Sequence, residues 1–526
     1  MHWWQTGIVY QVYPRSFQDT NGDGVGDLAG VTRRLDYLSH LGVNAVWLSP
    51  VFVSPMADFG YDIADHKAID PLFGTLADFD ALLERAHALG LKVILDLVPN
   101  HTSNRHPWFV ESRVSRQSAR RDWYIWRNGA PEGGLPNNWL SEFGGSAWQH
   151  DAATDQYYYH AFLKEQPDLN WRNAEVRGAM YDVMRFWLDR GVDGFRVDVM
   201  WHLMKDQAFR HDPPNPDWRE GQSDYRRNLP VHSTDRPEVH EIVRGLRAVI
   251  DEYPDRVLIG EIYLPVERLV AYYGEGLSGA HLPFNFSLIE TPWEAGAIAT
   301  LIERYEAALP PGAWPNWVLG NHDRPRLASR IGEAQVKVAA VLLMTLRGTP
   351  TLYYGDELGL PQVDIPPAQV RDPWGLNVPG HGRDGCRTPM PWDGSPFGGF
   401  SMVEPWLPLN PDAEIRNVRA QERDSTSLLS LHRRLIALRR TEPALNRGGY
   451  RPLAQSDRAL AFVRAAEGAR WVVALNFTGE RTELSFGSMD WAGQVALGTL
   501  PGRDGEAAAG CVALRPNEGL IICCDG

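Results

Sequence analysis

The sequence predicts an α/β protein: a (β/α)8 barrel of the TIM type, with a loop-inserted subdomain after strand three and a C-terminal antiparallel β-sandwich. Three observations predict it. Eight short apolar runs with polar or acidic ends recur between Ile8 and Tyr354, amphipathic stretches separate many of them, and beyond about Tyr450 only short apolar runs remain. Eight strands alternating with helices point to a parallel sheet closed into a barrel.

The predicted strands are Ile8–Tyr13, Val43–Ser49, Lys92–Val98, Val192–Val199, Val257–Tyr263, His281–Phe286, Trp317–Gly320 and Thr351–Tyr354. Helices are predicted at Leu76–Leu89, Val176–Arg190 and Glu333–Leu346. In the first, Leu82, Leu83, Ala86 and Leu89 recur at three- and four-residue steps, which places them on one helix face. Two intervals break the rhythm. His101 to about Arg172 is rich in Trp, Gly and Asn, and about 359–413 is full of Pro and Gly. Both leave the C-terminal ends of strands, the face on which barrel active sites are built. The expected organisation is a barrel over 1–100 and 173–445, with an irregular subdomain at about 359–413. An inserted subdomain covers 101–172, and a β domain covers 446–526 with Ala459–Val463, Trp471–Asn476 and Gly519–Cys524 as strands.

Composition narrows the function classes. Of 526 residues, 44% are hydrophobic and 22% charged, the balance of a soluble globular protein with a large core. A net charge of −14 disfavours nucleic acid and anionic lipid as partners. The 20 Trp offer flat faces that suit sugar rings, and equally fill cores. Cys386, Cys511, Cys523 and Cys524 show neither disulfide-framework nor zinc spacing and are expected to be buried thiols. The first residues lack a basic segment followed by an apolar one. Val338–Met344 with its flanks is too short to span a bilayer. The expected location is cytoplasmic, with no membrane partner.

Three strand ends carry acids in distinctive settings: Asp198 in Gly-Phe-Arg-Val-Asp, Glu261 in Ile-Gly-Glu and Asp323 in Gly-Asn-His-Asp. They fall on strands four, five and seven, and a closed barrel gathers such ends around one mouth. Glycoside hydrolysis needs two carboxyl groups flanking the scissile bond, one protonated and one ionised. A third acid can hold sugar hydroxyls. Arg196 points to the same side of its strand as Asp198, where its cation is expected to help keep Asp198 ionised. A lone acid at a strand end is commonly a helix cap or ion-pair partner. Three on separate strands, with His101 and His322 beside them, point to a site, although spacing alone does not assign their roles.

These segments resemble the α-amylase family of glycoside hydrolases. The signature regions read Asp96-Leu-Val-Pro-Asn-His101, Gly194-Phe-Arg-Val-Asp198, Gly260-Glu261 and Gly320-Asn-His-Asp323, in family order. Gln166-Pro-Asp-Leu-Asn170 and the opening Val9-Tyr10-Gln11-Val12-Tyr13-Pro14 are similar to the oligo-1,6-glucosidase and α-glucosidase branch. The resemblance implies Asp198 as nucleophile, Glu261 as general acid/base and Asp323 as transition-state stabiliser. It implies that His101, Arg196 and His322 line the first sugar subsite and that Asp58 and Tyr61 close it at the non-reducing end. Arg383 would block the pocket beyond the terminal glucose. Phe143 and Phe162 would wall that subsite, and Phe284 would border the leaving-group site. Val199 resembles members that accept α-1,6 bonds, which suggests α-1,6 or broad linkage. Two departures stand out: Arg324 where similar sequences commonly have Gln, and Pro391 within what is usually Met-Gln-Trp.

The implied activity is that of an exo-acting retaining α-glucosidase acting on short α-glucosides. A rival use of the same covalent intermediate is glucosyl transfer, as in trehalose synthase or sucrose isomerase relatives. The Arg-Leu-Asp-Arg-Asp loop associated with sucrose isomerases is absent. A non-catalytic scaffold of this fold would need a membrane helix and would have lost catalytic acids, whereas this chain keeps all three. Finally, residues 19–27 place oxygens at positions 1, 3, 5, 7 and 9 of an EF-hand-like loop, with Gly24 at position 6 and Gly30 in place of the position-12 Glu. The resemblance favours a structural Ca²⁺ held by Asp19, Asn21, Asp23, the Val25 carbonyl and Asp27, and no organic cofactor.

Overall fold

The computed structural model describes residues 1–486 and 491–524. Eight strands build the central sheet: β1 (Val9–Val12), β2 (Ala45–Leu48), β3 (Lys92–Leu97), β4 (Gly194–Val197), β5 (Val257–Ile262), β6 (Leu282–Asn285), β7 (Asn316–Val318) and β8 (Thr349–Tyr353). They pair in parallel in the order β6-β5-β4-β3-β2-β1-β8-β7. No ladder joins β6 to β7. The seam is closed by the Asn316 amide, which accepts the Asn285 N–H at 2.9 Å and donates to the Pro283 carbonyl.

The strands read as unbroken apolar runs because both faces are covered. Val9, Ala45, Trp47, Ile94, Val257, Ile259, Leu282, Phe284 and Val318 fill the barrel interior. Their neighbours Tyr10, Val46, Leu48, Val93, Leu95 and Leu258 face outward under the helices, as the two-residue period of a strand requires.

The predicted helices form with locally encoded ends. Leu76–Ala88 starts in a capping box between Thr75 and Asp78, and Ala174–Asp189 starts on the Asn173 side chain. Leu28–Leu41 is capped by Asp27 and stops at Gly42, whose φ of 97° favours glycine. Val336–Thr345 is apolar all round because it lies between the barrel and the C-terminal sheet.

The stretch 101–172 carries a small antiparallel sheet of Trp126–Arg127, Gln156–Tyr159 and Trp148–Asp151. A third irregular stretch runs from the end of β4 to the helix Val239–Asp251. The expectation of two such intervals missed it, although Asp212-Pro-Pro-Asn-Pro-Asp217 is a dense turn signal.

The C-terminal strands are β9 (Gly449–Gln455), β10 (Ala459–Ala466), β11 (Ala469–Asn476), β12 (Thr482–Ser485), β13 (Ala492–Gly498), β14 (Ala507–Ala509), β15 (Cys511–Leu514) and β16 (Gly519–Cys524). They form one sheet ordered β9-β10-β11-β16-β13-β14-β15-β12. The expected sandwich is this single sheet folded over, so that Leu484, Val512 and Leu514 pack on Ala461, Val463 and Val472. Leu460, Phe462, Val473 and Ile521, on the other face, join the barrel's core. None of the four cysteines is in a disulfide. Only Cys386 and Cys524 are buried as expected; Cys511 and Cys523 lie on the sheet's solvent side. Among the described residues no helix is long and apolar enough to cross a membrane.

Candidate active site

At the C-terminal end of β4 the chain turns sharply. Val199 sits at φ 37°, ψ 48°, a left-handed conformation that is strained for a β-branched residue. The turn aims the Val199 N–H at Glu261 Oε2, 2.8 Å away, and so ties the strand of one acid to that of another.

Arg196 is the hub of the floor and is fully buried. Its Nη1 donates to Asp96 Oδ1 and Asp198 Oδ1, each at 2.7 Å. Its Nη2 lies 2.7 Å from Glu261 Oε2, at an angle that makes the contact an ion pair rather than a hydrogen bond. Asp198 and Glu261 are thereby drawn together on one guanidinium, at 2.7 Å each. Three buried acids thus share one cation. Burial pushes Asp198 well above the usual carboxylate range, with Glu261 and Asp96 adding repulsion against the pull of Arg196. Glu261 is also raised, first by burial, and Asp96 goes up to about 6. The expectation that Arg196 keeps Asp198 ionised is met only in part, because its charge is divided among three acids.

Asp323 is held differently. Its Oδ1 accepts Arg387 Nη2 at 3.0 Å and Arg383 Nη1 at 3.2 Å, and its Oδ2 lies 3.3 Å from His322 Nε2. Burial raises this carboxyl, yet the His322 and arginine partners outweigh it and hold it below the ordinary range. His322 is fixed by Gln11, whose Nε2 lies 2.7 Å from Nδ1, and by Tyr61, whose hydroxyl lies 2.6 Å from Nε2 and whose ring stacks on the imidazole. The Gln11 amide donates, so the network assigns the proton to Nε2. Burial holds His322 neutral. Tyr61 in turn donates to Asp96 Oδ2 at 3.0 Å.

The far end of the pocket is sealed by an ion pair. Arg383 Nη2 reaches Asp58 Oδ1 and Asp372 Oδ1, each at 2.6 Å. Asp58 is placed by the next turn: Asp62 accepts the N–H groups of Ala57 and Asp58 and the Ser54 hydroxyl, each at 2.9 Å. Gln166 Nε2 bridges Asp58 Oδ2 at 3.2 Å and His101 Nε2 at 3.1 Å. Phe143 stacks on Trp374 under the Arg383 guanidinium and meets Phe162 edge-on.

These groups line one cavity of about 860 Å³. Asp198, Glu261, Asp323, Asp58, Tyr61, His101, Phe143, Phe162, Val199, His322 and Arg383 all face it, and Arg196 lies beneath. Phe284 does not. It stands inside the barrel against Trp47 and Phe286, because strand alternation turns residue 284 of β6 inward. Tyr263, Leu264, Glu290 and Arg324 occupy the leaving-group side instead. The sequence expectations also missed Glu142, Gln166, Asp372 and Arg387, and no tryptophan was expected in the pocket, yet Trp201 and Trp374 line it. Tyr225, Leu229 and Val231 of the third irregular stretch cover the mouth; the turn-rich composition of that stretch was the available signal.

The loop 19–27 lies apart from this cavity. Its donors are all oxygen, which fits a hard cation in kind. As they stand, its side chains are turned onto the loop itself: Asp19 accepts the N–H groups of Asn21, Gly22 and Gly24, and Asp27 caps the following helix and binds Thr20. Among the described residues no three His, Cys, Asp or Glu side chains converge as a metal cluster. Asp19 Oδ2 also accepts Ser401 Oγ at 2.6 Å, which joins the loop to the 359–413 stretch.

The Alpha-amylase family profile, described as Alpha amylase, catalytic domain, matches residues 11–448. The chain is 44% identical over 484 residues to a probable alpha-glucosidase of Rhizobium meliloti (strain 1021), covering 88% of this chain and 87% of that one. It is 39% identical over 524 residues to an oligo-1,6-glucosidase of Halalkalibacterium halodurans, covering 91% of each. Among solved structures it matches an alpha-glucosyl transfer enzyme, XgtA, with a TM-score of 0.94 at 40% identity over 99% of both chains. It also matches the trehalulose synthase MutB from Pseudomonas mesoacidophila MX-45, with a TM-score of 0.91 at 32% identity over 99% of both.

Proposed function

Because the chain belongs to the α-amylase family and is a glycoside hydrolase, we propose that it releases terminal non-reducing α-linked glucose from short α-glucosides by a retaining double displacement. The observation that carries this is that the Asp198 and Glu261 carboxyls are both gripped by the Arg196 guanidinium, at 2.7 Å each, on the floor of a cavity whose far end is closed by the Arg383–Asp58 pair. An inverting enzyme keeps its carboxyls about 6.5–9.5 Å apart to seat a water between them, whereas a shared guanidinium draws these two together, as the retaining scheme requires. The sealed end supports exo action, since a chain cannot run past the terminal sugar.

In the first step Asp198 attacks the anomeric carbon while Glu261 gives its proton to the departing glycosidic oxygen. The C1–O bond breaks and the aspartyl ester forms. Glu261 Oε2 is occupied by Val199 N–H and Arg196, so Oε1 carries the proton. In the second step Glu261 takes a proton from water, which attacks the same carbon as the aspartyl ester bond breaks; Asp198 leaves as the carboxylate and the α configuration returns. Asp323, kept ionised, and neutral His322 hold sugar hydroxyls. A sugar replacing that water gives transfer. The likeness to an alpha-glucosyl transfer enzyme favours transfer as a second outcome at high substrate.

Val199 lines the cavity directly after the nucleophile and sets linkage preference, which we place at α-1,6 or broad. A methyl-sized change there shifts selectivity by about 1–3 kcal/mol. The loop of Asp19, Asn21, Asp23, Val25 and Asp27 would hold a Ca²⁺, whose charge would brace that loop rather than enter the chemistry.

Initial rates on maltose, isomaltose, trehalose and sucrose under one condition, with the first-formed anomer followed by NMR, test the reading. An initial β-glucose product would overturn retention, and accumulation of new disaccharides in place of glucose would make transfer the main activity.

A further inference from the structure

A second cavity, of about 550 Å³, opens between the inserted subdomain and the segment that follows β4. No residue lines both it and the active-site cavity. Its walls carry five cations, Arg116, Arg121, Arg127, Arg172 and Lys205, against one acid, Asp122. Three of the five are accounted for: Lys205 binds Asp168, Arg172 lies 2.9 Å from Glu238, and Arg116 lies 4.0 Å from Asp155. Asp122 is engaged by the amides of Asn170 and Asn173.

Arg121 and Arg127 remain. Among the described residues neither has a carboxylate within ion-pair distance. Arg121 lies flat on Trp126, its Cζ 3.4 Å from the ring centroid, and bonds only to Ser112 O, Thr154 Oγ1 and Gln156 Oε1. Arg127 lies flat on Phe209 at 3.7 Å and donates to a single carbonyl, that of Trp126. Stacking fixes both guanidinium planes; Arg127 uses one N–H within the protein, while Arg121 keeps one N–H on Nη1 beyond its three bonds. Burial lowers both guanidiniums, Arg121 to about 10, with only the longer-range pull of Asp151 and Asp122 against it.

We propose that this crevice is a binding site for a small phosphate, free or as a monoester of a sugar, held by Arg121 and Arg127. Arg127 can meet phosphate oxygens through paired, charge-assisted hydrogen bonds, and Arg121 adds its charge and the remaining Nη1–H. The volume exceeds that of phosphate alone, and the amide side chains of Gln156, Asn170 and Gln207 on the walls suit hydroxyls. The site shares its floor with the active site's supports, because Lys205 also fixes Asn100 and Asp168, next to His101.

Calorimetric titration of the intact enzyme with inorganic phosphate, glucose 6-phosphate and glucose tests this. Saturable binding of the phosphates is expected, weakened about tenfold or more in Arg127→Gln and in Arg121→Gln. Arg127 is exposed, so its variant reports on the site even if the Arg121 variant is destabilised. Tighter binding of the monoester identifies it as the ligand, and equal affinity identifies free phosphate. The proposal is overturned if neither phosphate binds, if both variants bind as the wild type does, or if glucose competes with phosphate.

Discussion

Replacing Arg196 by Met tests the electrostatics of the floor. The methionine keeps an unbranched apolar stem but deletes the cation that touches Asp96, Asp198 and Glu261. A hydrogen bond to a charged group contributes about 1.5–3 kcal/mol. The lost contact to Asp198 therefore raises its pKa by about one to two units. The sign follows from the role: Asp198 must be ionised to attack, burial already raises it, and Arg196 is the counterweight. The acidic limb of kcat/KM should thus move about one to two units towards higher pH, with a tenfold or greater loss below that limb. Stability follows the same direction. The orphaned acids keep their protons at low pH, so the cost is small there and grows to about 3–5 kcal/mol at alkaline pH. The assay is kcat/KM on an aryl α-glucoside from about pH 4 to 9, with thermal midpoints at each pH. An unmoved or lowered acidic limb, with rates near wild type, would refute the shared-cation argument.

Phe284→Ala should cost about 3–5 kcal/mol in stability and leave the ratio of hydrolysis to transfer unchanged, because the ring packs on Trp47 inside the barrel; a changed ratio in product assays would contradict that placement. Asp356 is buried behind β8, where desolvation lifts it from 3.8 to about 7 despite Arg326. Its folded pKa is raised, so stability is full below about pH 4 and falls as pH rises through 7, by about 4 kcal/mol at most. Asp356→Asn should flatten that slope in thermal unfolding, and an unchanged slope would exclude Asp356 as its source. Chelation should lower the thermal midpoint by several degrees while leaving initial rates at room temperature unchanged; an unchanged midpoint would remove Ca²⁺ from the 19–27 loop.

Much of the site was legible because its side chains follow strand ends. The C-terminal ends of parallel strands meet at one mouth, so Asp198, Glu261 and Asp323, at or just past those ends, needed only the strand count to be brought together. Phe284 is the exception. It shares the inward phase of its register partner Glu261, so alternation does not separate the two, and only its packing on Trp47 and Phe286 places it in the barrel core. Tyr225, Leu229, Trp374 and Arg387 come from irregular stretches, where no periodicity constrains which side chain turns inward. Asp372 and Arg387 matter only through Arg383 and Asp323, contacts separated by many residues of loop.

The sequence by itself determined the barrel, its inserted and appended parts, the helix caps and the identity of the acids, because periodicity and capping are local properties of the chain. Only the tertiary structure decided how those acids are charged. Asp198 and Asp323 are both buried aspartates at strand ends, yet one is raised and the other lowered. The difference is in the partners: Asp198 shares one arginine with two other acids, while Asp323 touches two arginines. Coulomb interactions act through space at a few ångströms, and those distances do not exist until the strands close.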